Sequence, residues 1–287
     1  MYNNRLILFL AGLAAFTASC TEEIDIELGN TYRRLVVYGE VTTDTAIHYV
    51  KLTRSADYFF NKPAETVKQA MVEISDGETV ITLTENPDFP GYYFTPPDFF
   101  GVPGKTYELT IQNVDIDEDG IKEFYHASSY LPPSNPVDSI TLKYTSNSFF
   151  SAWEVQVWAW DPADKKDFYS FRVAKNGVML TDTLDEYIVQ SDDFFNGNFT
   201  WGITAQILNQ ENATEIALPG DTILFILSGI TGDYYNFIIE AQSETFGSNP
   251  LFSGPPANIN GNISNGALGF FTAYSIQKAS ATIPGVQ

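Results

Sequence analysis

The chain has 287 residues, 36 of them acidic against 15 basic, for a formal charge of −21. Phosphate backbones are held by clusters of lysine and arginine, and none of useful size occurs here, so the composition excludes a general nucleic-acid role and electrostatic docking on anionic lipid. Aromatic residues make up 15% of the chain, and Thr, Ser, Asn and Gly are frequent where Ala, Leu and Lys at helical spacing are few, which points to sheets.

The chain opens on Leu6 to Phe16, an apolar run of about ten residues behind Arg5, too short to span a bilayer of roughly 30 Å and suited to the h-region of an export signal. Thr17-Ala-Ser-Cys20 then sets small residues before the sole cysteine. This resembles a bacterial lipobox: residues 1–19 are expected to be removed as a lipoprotein signal peptide, leaving Cys20 with a diacylglycerol and an acylated N-terminus. No second cysteine is present to make an intramolecular disulfide. Each buried methylene contributes about 0.8 kcal/mol to membrane attachment, so several acyl chains hold more firmly than one, and the body is expected to be tethered and not embedded. Arg5 is the one charged side chain that leaves with the signal, so residues 20–287 carry 36 acids against 14 bases. Residues 20–30 read as an acidic tether, and Thr21-Glu-Glu-Ile-Asp-Ile-Glu27 resembles the surface-export signals of Bacteroidota lipoproteins.

Residues 31–133 read as a first domain. Arg34–Val41 and Ile47–Thr53 pair around a turn at Thr42–Thr45. Val67–Ile74 sets Ala70, Val72 and Ile74 on one face, Asp76-Gly77 turns, and Thr79–Thr84 returns as a hairpin. Gly91–Phe94 follows, then Pro103-Gly104 feeds a strand in which Tyr107, Leu109 and Ile111 share a face, and Tyr125–Tyr130 completes the set. About seven short strands in roughly 100 residues predict a β-sandwich, similar in order to immunoglobulin-like and transthyretin-like modules. Leu131–Pro136 holds three prolines in six residues and no apolar periodicity, which places a domain boundary there. In residues 134–287, Ser139–Tyr144, Trp153–Trp160, Phe168–Val173, Glu186–Gln190, Thr200–Leu208 and Thr222–Ser228 read as strands, and Tyr234–Ala241 as a strand or a short helix. Their number predicts a second β-sandwich or an irregular barrel, and the fold class is all-β.

Catalytic patterns are sparse. His48 and His126 are the only histidines, and His48 sits inside a strand pattern where a half-exposed framework role is expected. No Gly-x-Ser-x-Gly elbow or His-Glu-x-x-His pair occurs. Gly104-Lys105-Thr106 mimics the tail of a phosphate loop, but Phe99 stands at the first-glycine position and Pro103 removes an amide. The metal signal is stronger: Asp115, Asp117 and Asp119 alternate before Gly120, with the Ile121 carbonyl behind them, the start of an oxygen-rich calcium loop. His126 at position twelve excludes an EF-hand, the flanking strands place the loop at a hairpin tip, and a solvated Asp/Gly turn is the alternative. Trp158 and Trp160 leave the face of Trp153, Val155 and Val157, where exposed rings could stack on a glycan or a protein partner; burial under a second sheet is the alternative. Asp44-Thr45-Ala46, Asp138-Ser139-Ile140, Asp182-Thr183-Leu184 and Asp221-Thr222-Ile223 resemble O-glycosylation sites and equally fit turn-to-strand junctions.

Several scattered stretches carry a further resemblance: the acidic start after Cys20, Leu35-Val-Val-Tyr-Gly39, Asp161-Pro162 followed by Phe168-Tyr169, Asp192-Asp-Phe-Phe-Asn-Gly197, and Pro255 to Tyr274. Together they resemble the Bacteroidota lipoproteins of the domain-of-unknown-function 4249 family across nearly the whole mature chain. The resemblance implies an outer-membrane lipoprotein, often encoded beside TonB-dependent receptors, with no established catalytic residues. Within its last stretch, Gly261, Gly266 and Gly269 allow positive φ or close approach, and Asn258, Asn262 and Asn265 can bond nearby main chain, which predicts a structural closure of the second domain. The functional expectation is a non-catalytic, lipid-anchored outer-membrane protein facing the cell exterior, an accessory or binding subunit of a cell-envelope complex such as a TonB-dependent uptake system. A surface glycan-binding module is the alternative, and a hydrolase the third reading.

Overall fold

Side-chain alternation turns most of the chain into strands. The computed structural model describes residues 33–55, 63–148, 150–163, 165–246 and 259–285; Cys20, the signal segment and the acidic tether lie outside the described residues. In chain order the strands are β1 (Leu35–Thr42), β2 (Tyr49–Arg54), β3 (Met71–Ser75), β4 (Val80–Thr82), β5 (Thr84–Glu85), β6 (Tyr92–Phe94), β7 (Thr106–Val114) and β8 (Glu123–Tyr130). They continue as β9 (Val137–Asn147), β10 (Phe150–Ala159), β11 (Phe168–Lys175), β12 (Val178–Met179), β13 (Ile188–Ser191), β14 (Ile203–Asn209), β15 (Thr222–Ile230) and β16 (Leu268–Thr282). Strand accounts for 49% and helix for 9%, without a closed barrel among the described residues, so the all-β, sandwich-like expectation holds.

A nine-stranded sheet runs in the order β12-β11-β15-β16-β1-β2-β6-β5, with β13 paired to β11. One of its faces carries two cores side by side. At one end Leu35, Val37, Leu52 and Tyr93 meet Ile74, Leu109 and Ile111 of the four-stranded sheet β4-β3-β7-β8. At the other, Phe171, Val173 and Phe225 meet Val155, Val157 and Leu208 of the three-stranded sheet β14-β10-β9. Each fully buried aliphatic or aromatic side chain contributes about 1.5–3 kcal/mol, so these two layers supply most of the fold's driving force. The Pro-rich segment 131–136 marks the change from one core to the other, while the long sheet continues across it.

The strand that crosses is β16. It pairs in parallel with β1, from Val36 opposite Leu268 to Thr42 opposite Tyr274, and antiparallel with β15. Its Phe271 and Ala273 enter the first core, and Ala279 and Ala281 pack against the second. Gly269 makes the first contact feasible: at φ +92° a Cβ there would lie 1.9 Å from the Val37 carbonyl oxygen. Asn262 locks the approach, donating from Nδ2 to the Phe271 carbonyl at 2.7 Å and accepting the Phe271 amide on Oδ1 at 2.9 Å. The glycine- and asparagine-rich stretch is therefore structural, and it closes both cores instead of the second alone.

Tyr234–Ala241, open to two readings from sequence, lies in the α-helix Gly232–Phe246. Tyr234, Phe237 and Ile238 recur at helical spacing and are buried against Phe270 and Tyr274 on the reverse face of the long sheet. His48 is not half-exposed: it is buried, its Nε2 lies 2.8 Å from Thr42 Oγ1, and burial lowers its pKa.

Candidate functional site

The sheets of the second core part at one end into a narrow cleft of about 90 Å³. Val157, Ala159, Phe171, Ile203 and Leu227 give it apolar walls, and Gln190, Thr200 and Thr204 add hydrogen-bonding groups. Trp160 stands in the lining and is 59% exposed. Alternation along β10 continues through Trp158, Ala159 and Trp160, because the β9–β10 register shift between Trp158 and Ala159 puts the extra residue, Asp138, on β9. The two indoles differ in exposure and in contacts. Trp158 is half-buried, donates from Nε1 to Thr141 Oγ1 at 3.0 Å, and covers Gly202, where a Cβ would meet its ring at 2.8 Å. Trp160 bridges Phe199, whose ring meets Trp201 edge-on at 5.2 Å. Trp201 is 76% exposed and Phe194, next to the lining Phe195, is 88% exposed. These rings leave large aromatic surface in water near an apolar cleft.

Asp161 and Tyr169 are the titratable groups in the lining. The Tyr169 hydroxyl donates to Asp161 Oδ1, and the Gly197 amide reaches Asp161 Oδ2 at 3.4 Å. Burial pushes the Asp161 carboxyl above its ordinary value, and burial together with that carboxyl pushes the Tyr169 phenol up as well.

The acidic loop forms the hairpin tip between β7 and β8. Asp115, Asp117 and Glu123 each bring a carboxylate oxygen within 4.8 Å of the others. Asp119 and Ile121 do not join them: Asp119 Oδ1 accepts the Ile121 amide at 2.7 Å, and Ile121 is exposed. The loop's own amides serve most of the cluster, and Asp115 Oδ1 is its one buried oxygen without a partner among the described residues. Asp115 Oδ2 accepts the Gly120 amide at 3.1 Å, Asp117 Oδ1 the Asp119 amide at 3.3 Å, and Glu123 the Ile116 amide through both oxygens. Glu118 is pulled outward to Arg54 at 2.6 Å.

The sequence pattern of a protein family described as Domain of unknown function (DUF4249) matches residues 21–280, which take in the cleft, the hairpin tip and nearly all of β16. The chain belongs to the DUF4249 family. A search of curated protein sequences found no match to this DUF4249 protein. Sequence reading selected Trp158 and Trp160 but passed over Trp201, Phe194 and Asp192. A signal for these existed in Asp192 to Trp201, a segment rich in Asp, Asn, Gly and aromatic residues. Such a composition cannot bury its rings by alternation and leaves some of them at the surface of a turn.

Proposed function

We propose that this protein is a non-catalytic outer-membrane lipoprotein, anchored through Cys20 and facing the cell exterior, that serves as a binding subunit of a cell-envelope complex. A TonB-dependent uptake system is the partner this reading favours. The observation that carries it is the aromatic-rimmed cleft: Trp160, Trp201 and Phe194 present large rigid surface at little entropic cost, the chemistry of an interface anchor. A lipid anchor raises the effective concentration near a membrane partner, so a modest interface suffices. The test is recovery from native outer membranes with the tagged full-length chain. An outer-membrane receptor is expected to co-purify with the wild type and to be lost from the Trp160→Ala/Trp201→Ala double variant, whereas Cys20→Ser moves the protein to the soluble fraction. Recovery of no outer-membrane protein with the wild type overturns the reading.

A separate ring cluster favours the glycan-binding alternative. On the reverse face of the long sheet, the Tyr92 and Phe94 rings stack nearly parallel, 14° apart with centroids 6.2 Å from each other, beside Tyr49 and under the Lys51 ammonium, 5.2 Å from the Tyr92 ring. An aromatic cluster with a cationic donor suits a sugar. Glycan-array binding that is lost in Tyr92→Ala and kept in Trp160→Ala/Trp201→Ala would select this second reading.

A further inference from the structure

We propose that Asp161, Asp167 and Asp192 form a buried divalent-cation site beside the cleft, and that calcium is the ion it takes. Three separate segments supply them: the end of β10, the lead-in to β11 and the turn after β13. Their relative exposures are 3%, 9% and 0%, and each brings a carboxylate oxygen within 4.8 Å of the other two. Two oxygens that share a calcium ion at about 2.4 Å can stand at most about 4.8 Å apart, so this spacing admits a common ion.

The hydrogen bonds present leave the site short of positive charge. Asp161 is met by the Tyr169 hydroxyl and, at 3.4 Å, by the Gly197 amide. Asp192 Oδ2 accepts the Asp167 amide at 2.9 Å, but Asp192 Oδ1 has no hydrogen-bond partner although the residue is wholly buried. Asp167 pairs with Lys165 at 2.8 Å, and no other cation is paired with any of the three among the described residues. A buried carboxylate oxygen without a donor is costly, and like charges this close repel in a medium of low dielectric. One ammonium against three carboxylates leaves an excess of two negative charges, which a single divalent ion cancels. The donors on these side chains are all hard oxygens with neither imidazole nor thiolate among them, which selects calcium over zinc; the irregular arrangement suits calcium better than the strict octahedron of magnesium. The hairpin tip shares one feature, a buried Asp115 Oδ1 without a partner, but it is partly exposed and loop amides meet Asp115 Oδ2, Asp117 and Glu123. Since Asp161, Tyr169 and Phe195 all line the cleft, an ion here would fasten the cleft wall.

The test uses the mature chain stripped with a chelator and then titrated with terbium, whose luminescence is excited through nearby tyrosine and tryptophan, followed by displacement with calcium and by thermal melts. Terbium emission that calcium displaces is expected, with a melting temperature raised by several degrees at calcium concentrations of about 0.1–10 mM. Asp192→Asn, which keeps the side chain's shape, is expected to weaken calcium at least about tenfold, since the loss of even an outer-shell partner costs about 10–100-fold; Asp117→Asn leaves the response unchanged. A wild-type melt indifferent to millimolar calcium overturns the proposal, as does a response that survives Asp192→Asn and disappears in Asp117→Asn. Should Asp192→Asn fail to fold, Asp161→Asn takes its place, and the wild-type titration decides by itself.

Discussion

The two cores share one sheet yet resolve their polar groups differently. In the first, the large buried phenols are tied to backbone: Tyr93 Oη donates to the Val67 carbonyl and accepts the Ala70 amide, and Tyr107 Oη accepts the Val102 amide. Its acidic hairpin tip sits at the edge, wrapped by its own amides. In the second, the sheets part, three aspartates are buried together, and indole and phenyl rings stand in solvent. The first half leaves single buried atoms such as His48 Nδ1 and Asp115 Oδ1 without a partner, whereas the second leaves three buried carboxylates together with exposed rings near one cleft. The proposed recognition is assigned to the second half on that contrast.

The largest expected effect would break the comparison at its hinge. Gly269→Ala forces a Cβ into the Val37 carbonyl from a left-handed backbone, so it should separate β16 from β1 and cost about 3 kcal/mol or more, read as loss of soluble protein or of the cooperative circular-dichroism melt. Next, Leu109→Ala removes a fully buried side chain from the first core and should cost about 2–5 kcal/mol. Because β16 serves both cores, one transition is expected to shift as a whole; two separated transitions would show that the halves are independent.

Acid should sharpen the comparison, because the halves respond with opposite sign. Asp76 in the first half is held down to about 2, chiefly by its hydrogen bond from Lys105 and then by the Thr79 amide. Its stabilisation is present above the ordinary aspartate value and is lost as pH falls toward 2. Burial holds Asp161 in the second half above its ordinary value, so in chelator its ionisation opposes folding, and the molecule should gain stability as pH falls through the raised value. Melts between pH 3 and 7 should show Asp161→Asn flattening the gain and Lys105→Met flattening the loss. The smallest effect belongs to the exposed rings: Trp201→Ala should change stability by less than about 0.5 kcal/mol while weakening partner recovery, and a larger loss would reassign that indole to the scaffold.

Much of this was legible in order of distance along the chain. Alternating apolar residues specified β1, β2, β7 and β10, and Asp and Gly specified the hairpin tip, since strand faces and turns depend on neighbours only a few residues apart. Tyr234 to Ala241 stayed ambiguous because eight residues fit either period until Phe270 and Tyr274 supply the surface that selects the helix. The sequence by itself determined the all-β class, the sparseness of catalytic pattern and the acidic character of the chain. Only the tertiary structure decided that β16 joins both cores, that Trp160 stands in the lining of the cleft, and that Asp161, Asp167 and Asp192 converge. The reason is physical: local steric preference acts through adjacent residues, whereas a parallel strand pair and a three-segment carboxylate cluster exist only once distant chain has been packed together.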